Sequence, residues 1–214
     1  MKTADLGVLV SGRSRGSNFA AILAAIERQE LHARLALLVA TDPAHGAVEK
    51  ARAAGIKCLV LPPDGMDSAA WDHQVTDALY EEGVSILALC GYLRHVGATI
   101  LDAFPRRVLN VHPSLLPAFG GKGMYGLRVQ RAVLEHGCKV TGCTVHLVNE
   151  HYDMGRIIAQ ACVPVEDEDT PETLGARVQA QEHRIYPQCI EWLIQDQLRF
   201  EGRRVKLKAA NGTP

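Results

Sequence analysis

Through the first half of the chain, apolar runs of strand length alternate with amphipathic runs of helix length, and this rhythm admits few folds. Leu6–Val10, Leu35–Ala40, Cys58–Leu61, Ser85–Cys90 and Val108–His112 are short, rich in leucine and valine, and nearly free of charge. Runs of that kind are strands covered on both faces. Between them, Asn18–Gln29, Gly46–Ala54, Ser68–Glu82 and Gly97–Ala103 read as helices, with Gly55-Ile56 as a helix stop. Strands separated by helices pair in parallel, because each return to the sheet needs a long crossover. The expected fold is therefore α/β, a single-domain, doubly wound, open and mostly parallel twisted sheet flanked by helices. Further on, Thr141–Val148 and Arg156–Val165 flank the short segment Asn149–Gly155, which is too brief for a crossover and predicts an antiparallel C-terminal part. Asp169-Thr170-Pro171-Glu172 opens a helix predicted to reach about Arg199 with an interruption at Pro187. The domain is expected to span 1–205, with 206–214 as a frayed tail.

A length of 214 residues suits one sizeable core. The 23 basic and 24 acidic residues leave a formal charge of −1, which offers no global attraction for nucleic acid or an anionic membrane. No apolar stretch approaches bilayer length, and Leu6–Val10 runs into Ser-Gly without a signal-peptide layout. A soluble, cytoplasmic protein is expected. The six cysteines are scattered, with no Cys-x-x-Cys pair. Histidines 112, 146, 151 and 183 share no short ligand spacing, so no metal is expected.

Chemistry concentrates in Asn110-Val111-His112-Pro113-Ser114 at the end of the fifth apolar run. Positions i and i+2 of a strand share a face, so Asn110 and His112 would project side by side, pairing an amide donor with a general acid/base. Asp153, in His151-Tyr152-Asp153-Met154-Gly155, lies at a turn that could return a carboxylate to the imidazole. Amide, imidazole and carboxylate together suit acyl transfer, although each alone is an ordinary turn former or satisfied polar group. Ser11-Gly12-Arg13-Ser14-Arg15-Gly16-Ser17-Asn18 follows the first strand and opens the first helix; it reads as a phosphate cradle in which Ser17 or Asn18 caps the helix, or as a plain strand-to-helix turn. Gly91-Tyr92-Leu93-Arg94-His95-Val96 follows the fourth strand and should neighbour Asn110 and His112 at the carboxyl edge of the sheet, where its apolar residues could wall a flat heterocycle. His146, inside an alternating strand, reads as a packed polar residue.

These motifs, joined by Asn110–Pro117, Val140–His146 and Gln181-Glu182-His183, resemble the folate-dependent glycinamide ribonucleotide formyltransferases over about residues 6–200. The phosphate-type loop, the Gln-x-Gln-Glu-His run and the lack of a further domain at either end set this resemblance apart from the wider formyltransferase and formyltetrahydrofolate hydrolase group. The resemblance implies 10-formyltetrahydrofolate as co-substrate and glycinamide ribonucleotide as acceptor, with Asn110, His112 and Asp153 catalytic. It implies ribonucleotide contacts at Gly16, Ser17, Asn18, Gln179, Ala180, Gln181 and Glu182, and folate contacts at Leu93, Arg94, His95, Val96, Asn110, Asn149, Glu150, His151, Tyr152 and Asp153. The N-terminal half would thus serve mainly the phosphate and the C-terminal half mainly the folate, and the reading admits a homodimer. Departures fall at Ala69, where some members carry an arginine near the folate tail, at His95, which replaces an aliphatic wall residue, at Gly155-Arg156, where Gly-Pro is frequent, and in the long Gly120–Gly126 loop. The rival readings are a formyltetrahydrofolate hydrolase and a non-catalytic nucleotide-binding α/β domain.

Overall fold

The computed structural model of the protein describes residues 1–208. Its elements run β1 (Ala4–Val10), α1 (Ser17–Glu27), β2 (Ala33–Ala40), α2 (Gly46–Ala53), β3 (Cys58–Val60), α3 (Ser68–Glu81), β4 (Ile86–Leu89), α4 (Ala98–Ala103), β5 (Val108–His112), α5 (Leu127–Glu135), β6 (Val140–Leu147), β7 (Ile157–Pro164), α6 (Pro171–Ile194), β8 (Leu198–Glu201) and β9 (Arg204–Leu207). Seven strands form one sheet in the order β3-β2-β1-β4-β5-β6-β7. The first five pair in parallel, whereas β5 with β6 and β6 with β7 are antiparallel, as the short loop between the last two requires.

Strand alternation divides the core into two layers. Leu6, Val8 and Val10 of β1 pack with Phe19 and Ile22 of α1 and with Ile185 and Tyr186 of α6 on one face. Leu9 points the other way, into a layer with Trp71, Val75 and Leu79 of α3 and Ile100 of α4. In β5, Leu109 and Val111 join the first layer and Val108 the second, so parity places Asn110 and His112 on the Val108 side. Among the described residues, no helix is long and apolar enough to cross a membrane.

Beyond β5 the chain departs from the sequence expectation in four places. No element is predicted for 127–135, yet α5 forms there, burying Val129, Gln130 and Val133. Helix α6 passes through Pro187 without a break, because the residues around it, Ile185, Tyr186, Cys189 and Ile190, are buried and hold the turn against the sheet despite the missing N–H. It stops at Ile194 rather than near Arg199: Asp196 takes a left-handed φ of 55°, and Gln197 N–H turns back to the Trp192 carbonyl at 2.9 Å. The chain then forms the β8–β9 hairpin around Gly202, so Lys206 and Leu207 belong to a strand and a domain boundary at 205 would cut it. The rest of the expected tail, 209–214, lies outside the described residues.

Candidate active site

The strand order reverses at β1, which has β2 on one side and β4 on the other. At such a switch point the loops leaving neighbouring strands diverge and open a crevice at the carboxyl edge. A cleft of about 530 Å³ lies there, bounded by the loops after β1 and β4, the end of β5, the β6–β7 loop and one face of α6. Its size is that of a small-molecule site. Ser11 stitches two of its walls together, accepting from Leu93 N–H at 2.7 Å, while Gly12 N–H reaches Thr41 Oγ1 at 3.0 Å.

One end of the cleft is a backbone cradle. Gly16, not Ser17 or Asn18, occupies the N-cap of α1, with φ 67° and no side-chain cap, which corrects the expected capping. A Cβ at Gly16 would approach Ala47 N to 2.6 Å, so both the left-handed angle and the space demand glycine. An uncapped N-terminus of an 11-residue helix leaves N–H groups and a positive dipole end for an anion. The side chains of the first turn face α6: Gln179 Nε2 donates to Ser17 Oγ at 3.0 Å, and Asn18 Nδ2 donates to Glu182 Oε2 at 2.9 Å. Asn18 Oδ1 is buried without a protein partner. Burial raises the Glu182 carboxyl above its ordinary pKa, with the Asn18 amide opposing.

The α6 wall is set by helical period. Glu172, Gly175, Ala176, Gln179 and Glu182 recur at the spacing of one face and line the cleft. Ala180 and Gln181 fall off that face, with Ala180 exposed and Gln181 accepting from Arg184 Nε at 3.0 Å, so these two predicted contacts are not on the cleft wall. Glu150 is likewise outside it; its exposed side chain lies 3.9 Å from His151 Nε2, and its backbone carbonyl is engaged by His95. Leu93, Arg94, His95, Val96, Asn149, His151 and Tyr152 do line it. Arg94 lies 4.9 Å over the Trp71 ring. The two expected substrate sets therefore share one cleft, each drawing on both halves of the chain.

Asn110, His112 and Asp153 meet on its floor. His112 is 4 % exposed; its Nε2 lies 2.9 Å from the Phe119 carbonyl and its Nδ1 3.5 Å from Asp153 Oδ2. A carbonyl only accepts, so Nε2 carries a proton and Nδ1 is the position that changes state. Burial lowers the His112 pKa below the ordinary imidazole value, while Asp153 and the Phe119 carbonyl pull upward without cancelling it. Burial alone would raise the Asp153 carboxyl, but the His146 and His112 rings and the Gly121 N–H together outweigh it and hold the group below the usual carboxylate range. The site thus keeps an ionised carboxylate beside an imidazole that is neutral near pH 7. Asp153 adopts φ 56°, and Gly120 backs it so closely that a Cβ there would lie 3.2 Å from Asp153 Cβ.

His146 is the buried, hydrogen-bonded polar residue expected from sequence, and it also touches the site. Antiparallel register sets it opposite Asn110, as it sets Thr144 opposite His112. Its Nδ1 lies 2.9 Å from the Leu147 carbonyl and its Nε2 3.2 Å from Asn110 Nδ2. In the neutral ring, donation from Nδ1 leaves Nε2 as an acceptor, and in that state the Asn110 amide turns one N–H to His146 and keeps the other for the cleft. Asp153 Oδ1 is 3.6 Å from the same Nε2. The sequence signal was present in the alternation of Thr144 and His146, but only pairing with β5 gives it meaning. Ser114, by contrast, is fully buried and donates to the Ala118 carbonyl at 2.6 Å, a turn contact.

Comparison with known proteins is consistent along nearly the whole chain. Residues 6–190 match the formyl transferase family. The chain is 40 % identical over 208 residues to the chloroplastic phosphoribosylglycinamide formyltransferase of Arabidopsis thaliana, covering 94 % of this chain and 69 % of that protein. It is 37 % identical over 188 residues to the phosphoribosylglycinamide formyltransferase of Bacillus subtilis (strain 168), covering 87 % and 93 % respectively. Among solved structures, the glycinamide ribonucleotide transformylase 1 of Symbiobacterium toebii superposes with a TM-score of 0.90 at 42 % identity, over 96 % of this chain and 94 % of that one.

Proposed function

The chain belongs to the formyl transferase family, and from that premise we propose that it moves the formyl group of 10-formyltetrahydrofolate to the amine of N1-(5-phosphoribosyl)glycinamide, forming formylglycinamide ribonucleotide in purine biosynthesis. The observation that carries this reading is the meeting of Asn110, His112 and Asp153 in one cleft with the uncapped N-terminus of α1. A phosphate on the cradle and a pteridine against Leu93–Val96 and Asn149–Tyr152 would bring amine and formyl carbon together between them.

The reaction needs no enzyme nucleophile, because the substrate amine attacks. It needs alignment, a donor for the oxyanion and a path for one proton. The free N–H of Asn110, held by His146, donates to the formyl oxygen as it gains charge. The amine nitrogen bonds to the formyl carbon and loses a proton, which passes through an ordered water to His112 Nδ1. Asp153, already ionised, stabilises the imidazolium that results. As the bond from carbon to N10 breaks, the proton is returned to N10, so tetrahydrofolate leaves neutral at that nitrogen and the enzyme is restored. Neutral His112 is the form that starts the cycle, in keeping with its lowered pKa. Incubating the purified protein with both substrates should give formylglycinamide ribonucleotide by mass spectrometry; folded protein that forms none would reject the assignment.

A further inference from the structure

The loop after β4 and the β6–β7 loop face each other across the cleft, and the His95 side chain bridges them. Its Nε2 lies 2.8 Å from the Glu150 carbonyl, and its ring meets Tyr152 edge-on at 5.4 Å with the planes at 69°. A carbonyl only accepts, so Nε2 is the donor and the bond has one sense, from the first loop to the second. The grip falls on both sides of His151 and just before Asp153, whose φ of 56° shows how tightly the chain turns there. Beyond Asp153 the same loop is held by Arg203 Nη2, which donates to the Met154 carbonyl at 3.1 Å. Between these two holds sit Tyr152 and Asp153, both lining the cleft. Of the two fasteners His95 is the one whose own residue lines the cleft, so it couples the shape of the pocket to the position of the loop.

We propose that His95 is a positioning residue: its bond to the Glu150 carbonyl and its edge contact with Tyr152 clasp the Asn149–Asp153 loop over the cleft and set the affinity for the pteridine of the folate co-substrate. The inference rests on the folate reading for what the clasp acts upon, though not for the clasp itself. A bound flat heterocycle would have to be enclosed by the same two loops, and a loop already fastened loses less freedom on binding. The clasp lies at the cleft's edge rather than on its floor, so it acts on co-substrate binding more than on the chemical step.

Two substitutions separate the bond from the bulk. His95→Leu keeps an apolar wall and removes the donor; His95→Gln restores an N–H of similar reach. In the ligand-free protein, amide hydrogen exchange of 149–154 should quicken by about three- to tenfold in His95→Leu and return toward wild type in His95→Gln. In turnover, His95→Leu should raise the KM for 10-formyltetrahydrofolate by about three- to tenfold, with kcat and the ribonucleotide KM within about twofold of wild type, and His95→Gln should recover most of the loss. Unchanged exchange in His95→Leu, or His95→Gln no better than His95→Leu, would overturn the clasp. Quickened exchange with an unaltered folate KM would overturn its role in binding. A wild-type protein that transfers no formyl group would instead remove the functional reading, and the exchange result would still decide whether the clasp exists.

Discussion

Replacing Asp153 with asparagine removes one charge and little else. Asparagine tolerates the left-handed angle of 56° found here, and its Oδ1 can still accept the 2.8 Å bond from Gly121 N–H. What disappears is a negative charge 3.5 Å from His112 Nδ1. At an effective dielectric of about 20, opposite unit charges at that separation attract by about 5 kcal/mol, an upper bound because the amide dipole and water replace part of the attraction. Taking about 2–3 kcal/mol as the part felt by the imidazolium of the reaction gives a fall in kcat of about 30- to 150-fold, within the range ordinary for proton-transfer groups. The acidic limb of the pH profile supplies a second reading. His112 starts the cycle neutral, and its pKa is already lowered by burial; Asp153 is what pulls it upward. In Asp153→Asn the pKa falls further, so the limb of kcat/KM that reports His112 moves to lower pH, by about one unit or more. The assay is steady-state turnover over a range of substrate concentrations from about pH 5 to 8, giving kcat and kcat/KM at each pH, with circular dichroism confirming the fold. A loss of kcat under about fivefold, or an acidic limb that stays in place, would refute the coupling between the two groups.

Ser17→Ala combined with Asn18→Ala should raise the KM for the ribonucleotide about tenfold or more and leave the folate KM within about twofold, since the proposal seats the phosphate-bearing substrate on the cradle at α1; selective loss of folate affinity would place the two substrates the wrong way round. Tyr186→Phe should lower stability by about 1–3 kcal/mol in urea unfolding, because the single proton of the buried hydroxyl is shared between the Leu89 and Leu109 carbonyls, 3.0 and 2.9 Å away; a change below about 0.5 kcal/mol would mean that these carbonyls are satisfied without it.

The first half of the fold could be read from the sequence because each strand there is a buried apolar run and each helix has a local stop or start. Gly55 is one, with φ 69°, and Asp67 is another, accepting from Ala69 and Ala70 at the head of α3. Helix α5 escaped because its buried face holds two valines and a glutamine, whose Nε2 donates to the Pro113 carbonyl across the fold. The β8–β9 hairpin escaped because charged residues flank Phe200, Val205 and Leu207 on both sides, and Asp196 ends α6 with a conformation usually left to glycine. At the site, Asn110 and His112 were readable from two-residue periodicity alone. His146 was not, because its value depends on the antiparallel register that puts it against Asn110. Ala180 and Gln181 came from the resemblance, and helical period turns their side chains away from the face that lines the cleft. The resemblance supplied the expected roles, and the packing supplied which side chains can take part.

Alignment of the substrate amine against the formyl carbon separates transfer from hydrolysis, since the same Asn110, His112 and Asp153 would serve a water as readily as an amine. Proximity of a bound amine can be worth about 7 kcal/mol or more over a free competitor, so the amine should take nearly every formyl group once it is bound. Formate and formylglycinamide ribonucleotide measured together, with and without glycinamide ribonucleotide, give the answer in one experiment. The account predicts little or no formate from 10-formyltetrahydrofolate alone and, with the ribonucleotide present, product in near-equal amount to folate consumed; rapid formate release that ignores the ribonucleotide would contradict it.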